Sequence, residues 1–243
     1  MLNEKITTVL FDLDGTLLPM DIDTFTNAYF AELSKKAATY GYTDAKALVA
    51  AVWKGTKAMV QNDGTVDNCE RFWTTFAGEM GEDSLNLRPH FDEFYANEFD
   101  RVKTSVGENP SARKVVDMLK QQGYDLVLAT NPIFPLVGVQ TRLAWLGLTT
   151  EDFTLVTSYE NSKFCKPNPD YYREILQKIG KQPEECLMVG NDTAEDLAAL
   201  IVGMDCYLVT DCMIHRGGEL PPVKQGSFAQ FVALLQQGER GTA

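Results

Sequence analysis

The sequence predicts an α/β fold in which a doubly wound parallel sheet carries an all-helical block inserted early in the chain. Short apolar runs alternate with helical patterns over the second half, and a long stretch before them has helical periodicity without a convincing strand. Strands joined through helices of this length form right-handed crossovers, which give a parallel sheet covered on both faces. With 243 residues, 44% of them hydrophobic, the chain can bury such a core.

The first predicted strand is the apolar run before Asp12, and two acids end it. Asp12 and Asp14 are followed by Gly15 and Thr16, and alternation along an extended backbone points residues 12 and 14 the same way. Carboxylates this close repel each other unless a divalent cation lies between them, and such hard oxygen ligands suit Mg²⁺. A plain polar turn is the alternative at this point, since Asp-Gly is a common turn dipeptide.

The inserted block is predicted over residues 19–106. It contains four helical patterns, each with an apolar stripe that includes aromatic side chains. The stripes hold Phe25, Tyr29, Phe30, Leu33 and Ala37; Leu48, Val49, Val52 and Trp53; Phe72, Trp73, Phe76 and Met80; and Phe91, Phe94, Tyr95 and Phe99. We expect most of these aromatics to form a local core, with one or two facing a ligand. The block is therefore predicted to be a separate helical domain, inserted into a core domain of residues 1–18 and 107–243.

The rest of the chain alternates helices and strands. Helices are predicted at 110–122, 136–146, 170–179 and 193–202, and strands at 125–130, 153–157, 187–190 and 206–210. Glycine directly after a helix and proline at its first position mark these boundaries. Residues 238–243 are predicted to be a frayed tail. In sheets of this kind the ligand site lies beyond the carboxyl ends of the strands.

Polar side chains gather where the predicted strands end. Those that directly follow a strand, or lie in the loop after one, are Asp12, Asp14, Thr130, Asn131, Lys166, Asn191 and Asp192. Independent loops would rarely bring acids, a hydroxyl and a lysine to one rim by chance. A shared site therefore replaces the plain turn as the better interpretation of residues 12–16.

This set resembles the haloacid dehalogenase superfamily, the aspartate-nucleophile phosphohydrolases. The family's DxDx[TV] motif is matched by residues 12–16, its Thr or Ser by Thr130, its lysine by Lys166, and its acidic motif by residues 190–196. All four motifs stand in the family's order, and the resemblance runs from residue 6 to about residue 210. It implies a Rossmann-like core with a helical cap, and residues 19–106 fall where the family places that cap.

The resemblance also implies a role for each matched residue. Asp12 would be the nucleophile that forms an aspartyl-phosphate, and Asp14 would be the general acid and base. Lys166 would pair with Asp12 and the phosphoryl oxygens, while Thr130 and the Asn131 amide would donate hydrogen bonds to those oxygens. The implied cofactor is Mg²⁺, held by Asp12, by the backbone carbonyl of Asp14 and by an acid of the fourth motif.

The fourth motif is ambiguous about which residue holds the metal. An ungapped match puts Asn191 at the family's first acid and Asp196 at its second, whereas a shift of one residue makes Asp192 the first acid. We expect Asp192 to bind the metal, because a carboxylate binds Mg²⁺ better than an amide. Asp196 is expected to hold Lys166 or a metal-bound water, and Glu195 to face solvent or act as a cap.

The expected activity is Mg²⁺-dependent hydrolysis of a small-molecule phosphomonoester through an aspartyl-phosphate. A phosphosugar mutase of the same superfamily and a non-catalytic phosphometabolite-binding module are the alternatives. Dehalogenation is disfavoured because Asp14 supplies the acid that a phosphoryl leaving group needs. Phosphonate cleavage would need a Schiff-base lysine in the cap, and Lys54 and Lys57 are better explained as solvated helix residues. His90 is expected to be structural and His215 exposed.

Charge and cysteine content limit partners and compartment. The net charge of -12 argues against nucleic acid or an anionic membrane as a partner, because both require a cationic surface. The five cysteines include no CxxC pair, which predicts free thiols and a cytosolic protein. No apolar run has the length of a signal sequence or a membrane span. Oligomeric state and substrate identity do not follow from the sequence.

Overall fold

The computed structural model describes residues 3–239, with side chains through Gln236, and its centre is a sheet of six parallel strands. The strands are β1 (Thr8–Phe11), β2 (Asp125–Leu128), β3 (Leu155–Val156), β4 (Cys186–Gly190), β5 (Asp205–Val209) and β6 (Lys224–Gly226). They lie in the order β3-β2-β1-β4-β5-β6, so the chain winds outward from β1 in both directions. The predicted doubly wound parallel sheet is confirmed.

Eight α-helices occur within residues 3–239. They are α1 (Ile22–Ala38), α2 (Ala45–Val60), α3 (Asn68–Met80), α4 (Arg88–Asn97), α5 (Ser111–Gln121), α6 (Leu136–Trp145), α7 (Pro169–Ile179) and α8 (Phe228–Glu239). Short 3₁₀ helices lie at Glu82–Leu87, Phe99–Ser105, Thr150–Asp152, Pro183–Glu185 and Leu197–Val202. Helices α1 to α4 therefore all fall between the first two strands of the sheet.

Helices cover both faces of the sheet. Phe11 of β1 meets Phe231 of α8 edge to face, with ring centroids 6.1 Å apart. Its neighbour Leu10 points to the other face, where it belongs to a second buried cluster with Tyr171 and Ile175 of α7. Because successive side chains of a strand alternate between faces, a strand covered on both sides must be apolar at every position. This explains the unbroken apolar run before Asp12.

The inserted segment, residues 19–106, leaves and rejoins the sheet at one point. Met20 and Val106 form an antiparallel bridge, and Gly107 N donates to Pro19 O at 2.7 Å. Within the segment, α3 begins at the N-cap Asp67, whose carboxylate accepts from Glu70 N at 2.7 Å. These backbone contacts form a neck at the two ends of the inserted segment, and the division of the chain into a helical domain and a core domain stays a prediction.

Three regions differ from the predicted elements. The α-helix expected at 193–202 is replaced by a turn at 193–196 and a 3₁₀ helix over Leu197–Val202. The backbone N–H groups before the 3₁₀ helix bond to acidic side chains of the same motif. The strand expected at 153–157 is limited to Leu155–Val156 at the sheet edge. Strand β6 and helix α8 were not predicted, and α8 extends through residues 238–239 of the expected tail, whose remainder lies outside the described residues.

Two further observations bear on cellular setting. All five cysteines are free thiols, and four of them are buried. Within residues 3–239, every helix is too short or too polar to cross a lipid bilayer.

Candidate active site

The polar residues predicted to share a site lie at the carboxyl end of β1 and its neighbours. Asp12 follows β1 directly, and its backbone N–H donates to Val189 O of β4 at 2.9 Å. Strand β1 lies between β2 and β4, at the point where the winding of the sheet reverses. The diverging connections at such a point leave a crevice beyond the strand ends.

A buried chain of charges joins Asp12 to two other motifs. Lys166 Nζ donates to Asp12 Oδ1 at 2.9 Å and to Asp196 Oδ1 at 2.6 Å. The Lys166 side chain is 1% exposed, so both ion pairs are shielded from water. Two carboxylates around one ammonium leave a net negative charge at this point. The three residues come from separate loops, so the pairs also fix the loops to one another.

Burial and these neighbours set the ionisation of the pair. Burial raises the pKa of Asp12, and Lys166 opposes this rise while Asp196 and Asp14 add to it. Burial alone would lower the pKa of Lys166, but the carboxylates of Asp12 and Asp196 outweigh it and hold that pKa well above its usual value. Lys166 is therefore a permanent cation, and the site would gain from a further positive charge beside Asp12.

Asp196 also shapes the fourth motif. Its second oxygen, Oδ2, accepts from the backbone N–H groups of Asn191 at 2.8 Å and Asp192 at 2.9 Å. A Cβ atom at Gly190 would lie 2.1 Å from Asp196 Cγ, so only glycine fits there. The loop after β4 is thus wrapped around one carboxylate, and this carboxylate is the one that holds Lys166.

Asn191 places its side chain against the first motif. Its Oδ1 accepts from Thr16 Oγ1 at 3.0 Å, and its Nδ2 donates to Cys212 O at 2.7 Å. Gly15 has a φ of +87°, and a Cβ there would lie 2.3 Å from Asn191 Nδ2. Glycine is therefore required both for the backbone conformation and for the approach of the amide.

Asp192, the expected metal ligand, forms a salt bridge with an arginine in this structure. Arg216 donates to Asp192 Oδ2 from Nε at 2.9 Å and from Nη2 at 2.7 Å. Asp192 Oδ1 accepts from the backbone N–H groups of Ala194 and Glu195 at 2.8 and 3.0 Å. Both oxygens of Asp192 accept hydrogen bonds in this conformation, whereas Asn191 Oδ1 contacts Thr16 of the first motif. Which of these two residues holds a metal stays a prediction.

Thr130 and Asn131 follow β2 and are held by the protein on several sides. The carbonyl oxygen of Thr130 accepts from Thr157 Oγ1 at 2.7 Å and from Tyr171 OH at 2.8 Å. The side chain of Asn131 accepts from Lys166 N at 3.2 Å and donates to Glu195 Oε2 at 3.0 Å. Asn131 thus joins the lysine loop to the fourth motif, and Glu195 is a partner in the site rather than a solvent-facing residue.

Sequence reasoning missed Arg142. Its side chain is 0% exposed, and its Nη1 donates to Asp14 Oδ2. The guanidinium carbon also lies 4.3 Å from the centre of the Phe134 ring. Asp14 Oδ1 and Arg142 Nη2 are buried and have no hydrogen-bond partner among residues 3–239. The sequence contained one indication of its role, since Arg142 lies on the face of α6 that buries Val139 and Leu143. A charged side chain on a buried helix face needs a partner.

A cavity of about 180 Å³ lies between the inserted segment and the rim of the sheet. Asp14 is part of its wall, and most of the other lining side chains are apolar or aromatic. They are Met20, Ile22, Phe25, Thr26, Tyr29, Phe30, Val52, Trp53, Thr56, Phe72, Trp73, Phe91, Tyr95, Ile133, Phe134, Pro135 and Tyr159. Ten of the lining side chains are aromatic, whereas the sequence predicted that one or two aromatic side chains of the inserted block would face a ligand.

The other residues considered from sequence lie away from this cavity. His90 stacks on Tyr40 with ring centroids 3.5 Å apart. His215 is exposed in the loop after β5, and its Nδ1 accepts from Gly217 N at 3.0 Å. Lys54 is an exposed residue of α2 that pairs with Glu79, and Lys57 is exposed on the same helix.

The donor set beside Asp12 suits a hard cation. The Asp12 carboxylate, the residue 14 backbone and the Asn191 amide supply oxygen atoms of the kind Mg²⁺ prefers. Asp12 and Asp196 share the single ammonium of Lys166, so this group carries a net negative charge. Among the described residues no three His, Cys, Asp or Glu side chains cluster as a metal site. These residues therefore suit a cation that keeps several water molecules or substrate oxygens as ligands.

Comparison with known proteins gives a consistent picture. The family model described as haloacid dehalogenase-like hydrolase matches residues 6–202. The pyrophosphatase PpaX of Bacillus velezensis is 23% identical over 204 residues, covering 84% of this chain and 82% of its own. The ribulose-1,5-bisphosphate 5-phosphatase of Halopiger xanaduensis is 28% identical over 212 residues, covering 83% and 84%. The magnesium-bound HAD hydrolase YfnB from Bacillus subtilis shares the fold, with a TM-score of 0.59, 18% identity, and coverage of 95% of this chain and 99% of that chain.

Proposed function

Because the chain belongs to the haloacid dehalogenase-like hydrolases, we propose that it is a Mg²⁺-dependent phosphatase that hydrolyses a small-molecule phosphomonoester through an aspartyl-phosphate. The observation that carries this proposal is the buried ion-pair chain of Asp12, Lys166 and Asp196 beside Asp14. Two relatives named for the hydrolysis of pyrophosphate and of a sugar phosphate support phosphoric-ester chemistry.

Asp12 is the proposed nucleophile. Lys166 holds its Oδ1 at 2.9 Å, so attack on phosphorus would come from Oδ2. The new bond joins Asp12 Oδ2 to phosphorus while the bond from phosphorus to the leaving oxygen breaks. Covalent catalysis of this kind divides one difficult hydrolysis into two easier steps. Water then attacks phosphorus and releases Asp12 and inorganic phosphate.

Asp14 is the proposed acid and base in those two steps. Arg142 occupies its Oδ2, whereas its Oδ1 has no partner in the described structure and belongs to a residue of the cavity wall. Oδ1 would carry the proton that the leaving oxygen takes, and it would take a proton from water in the second step. Arg142 thereby orients the carboxyl group without touching the substrate.

The phosphoryl oxygens need positive charge and hydrogen-bond donors as they approach Asp12. Lys166 supplies a permanent cation, and the Thr130 hydroxyl and the Asn131 backbone amide are the proposed donors. Mg²⁺ would be held by Asp12, residue 14 and Asn191, and when bound it supplies charge that offsets the repulsion between an anionic nucleophile and an anionic substrate. The free thiols are compatible with a cytoplasmic setting.

Release of inorganic phosphate from p-nitrophenyl phosphate tests the proposal. We expect Mg²⁺-dependent turnover that Asp12→Asn abolishes and that the matched surface variant Asp83→Asn retains. Full activity in Asp12→Asn would refute the mechanism. The two alternatives give different results in the same experiment, because a mutase would isomerise a phosphosugar without net phosphate release and an inert module would bind a phosphoester without turnover.

A further inference from the structure

On the basis of the phosphatase function proposed above, we infer that the leaving group of the substrate is an uncharged, largely apolar alcohol of about the size of one aromatic ring. We further infer that the site selects against phosphomonoesters with a second anionic group near the ester. The inference rests on the cavity of about 180 Å³ beside Asp14, which the reaction itself does not explain.

The cavity is where the leaving group must lie. Asp14, the proposed proton donor, belongs to its wall, so an oxygen within reach of Asp14 is at the edge of the cavity. Ile133, Phe134 and Pro135 also line it, and they follow Asn131 within a few residues. The phosphoryl group meets Asp12 on the rim of the sheet, and the carbon skeleton attached to the leaving oxygen extends into the cavity.

The cavity wall has no cationic side chain that could pair with a second anionic group of the substrate. Ten of the eighteen lining residues are Phe, Tyr or Trp, and none of the eighteen is Lys, Arg or His. Asp14 is the single carboxylic acid among them, and with or without its proton it offers no positive charge. Arg142 is not among the lining residues: its side chain is 0% exposed, its guanidinium lies against the Phe134 ring, and it pairs with Asp14 through Nη1. A carboxylate or phosphate placed in this cavity would lose its hydration without gaining a cationic partner.

Polar atoms in the wall are largely committed to each other. The hydroxyls of Tyr29 and Tyr95 lie 2.6 Å apart, and Trp73 Nε1 donates to Tyr159 OH at 3.4 Å. Thr56 Oγ1 donates to the Val52 carbonyl at 2.9 Å. Burial raises the pKa of Tyr29 to about 12, so this hydroxyl stays neutral at ordinary pH. The remaining wall is suited to dispersion and ring contacts rather than to a polar ligand.

Size and access are consistent with this class of group. An apolar cavity of about 150 Å³ holds a benzene molecule, so the volume here suits one ring or an equivalent branched chain. Trp53 and Ile22 line the cavity and are 51% and 43% exposed. These two residues therefore lie where the cavity meets solvent.

A matched pair of substrates tests the inference, namely benzyl phosphate and 4-carboxybenzyl phosphate. Their ester linkages are the same and they differ by one remote carboxylate. We expect kcat/KM for benzyl phosphate to exceed that for the carboxylated ester by about tenfold or more, because the carboxylate is desolvated without a partner. Equal or faster turnover of 4-carboxybenzyl phosphate would overturn the inference, and so would a preference for phosphocholine over benzyl phosphate.

Substitution on α2 provides the matched control. Thr56→Lys introduces a cation into the cavity wall and should reduce or reverse the preference, whereas Ala50→Lys adds the same charge on the exposed face of the same helix and should leave it unchanged. If Ala50→Lys shifts the preference as much as Thr56→Lys does, the selectivity arises from overall charge and the assignment of the cavity is wrong.

A binding measurement separates failure of this inference from failure of the proposed function. If no phosphomonoester is hydrolysed, the phosphatase proposal fails, and saturation-transfer NMR with benzyl alcohol and 4-(hydroxymethyl)benzoate then decides the inference alone. Contact of the protein with benzyl alcohol only, lost in a Val52→Trp variant that fills the cavity, supports it. Equal signals for both alcohols, or no signal for benzyl alcohol, would refute it.

Discussion

At the rim of the sheet each polar side chain contacts a specific partner, whereas the wall of the neighbouring cavity consists of aromatic rings packed against one another. Lys166 has two carboxylate partners and Asp196 accepts three hydrogen bonds, so neither residue can be exchanged without leaving a charge unpaired. In the cavity wall, Phe72 contacts Trp73, Phe76 and Tyr159, and another apolar side chain could fill the same space. The residues at the rim therefore determine which reaction is possible, whereas substitutions in the cavity wall can change which leaving group fits.

The largest effect is expected for Lys166→Met. The substitution leaves Asp12 and Asp196 facing each other in a buried site without a cation, which costs about 3–5 kcal/mol in the free energy of unfolding. Activity should also fall by about 10²-fold or more, since the phosphoryl oxygens lose a fixed charge. Chemical denaturation and phosphate-release kinetics would measure the two effects. Lys163→Met, an exposed change in the same loop, should alter neither, and a stable, active Lys166→Met protein would contradict this description of the rim.

Arg142→Met should be the next largest change. It leaves Asp14 without its cation and is expected to destabilise the fold by about 3 kcal/mol while lowering kcat. Adding Asp14→Asn to Arg142→Met should restore most of the stability, because no buried charge is then unpaired, but should not restore kcat. A double-mutant cycle by denaturation tests this. Additive losses in the double variant would show that the two side chains do not form a coupled pair.

The Mg²⁺ affinities of two variants distinguish Asn191 from Asp192 as the metal ligand. Asn191→Ala removes the fourth-motif oxygen that faces residues 12–16, so we expect Mg²⁺ binding measured by calorimetry to weaken by about tenfold. Asp192→Asn changes a carboxylate that Arg216 already occupies and should weaken binding less than Asn191→Ala does. The reverse order would support Asp192 as the metal ligand, as predicted from the sequence.

A smaller effect is expected at a partly exposed ion pair far from the rim. Hydrogen bonds from Arg113, at 2.7 Å to each carboxylate oxygen, lower the pKa of Asp152. A lowered pKa contributes stability that is present above the unfolded-state value of about 4 and is lost as pH falls toward the folded value. Asp152→Asn should therefore cost about 1 kcal/mol at pH 7, where solvent weakens the pair, and progressively less in denaturation below pH 4. A cost that is independent of pH would exclude the ionic contribution.

Strand ends and helix caps were predictable because they depend on local chemistry. The apolar run before Asp12, the N-cap Asp67 and the helix stop at Gly180 each follow from a few neighbouring residues. Strand β6 was not predictable, since it is a three-residue edge strand of sequence KQG without an apolar pattern. The α-helix expected from residue 193 was wrong, because the chain forms a turn at 193–196 and only then a short 3₁₀ helix. The Asp192 and Asp196 side chains accept hydrogen bonds from backbone N–H groups of the fourth motif, which helical periodicity does not predict.

It was harder to predict which side chains contact each other than to predict where the site residues lie relative to the strands. The convergence of Asp12 and Lys166 followed from the rule on strand ends, and the pairing of Asp196 with Lys166 followed from the family resemblance. The Arg142 contact with Asp14 joins residues 128 apart in sequence, and neither argument predicted it. The pairing of Asp192 with Arg216 likewise depends on a loop after β5 whose path no local pattern fixes. Aromatic periodicity could not separate core from cavity, because both positions favour the same residue types.

Mass spectrometry of acid-quenched enzyme is the most direct test of the central claim, that the rim performs phosphoryl transfer through Asp12. Enzyme mixed with benzyl phosphate and Mg²⁺ and quenched during turnover should yield a peptide containing residues 12–16 that carries one phosphoryl group on Asp12. The same peptide from Asp12→Asn should carry none. A phosphoryl group on any other residue, or turnover of wild-type enzyme with no phosphorylated peptide at any quench time, would contradict the account.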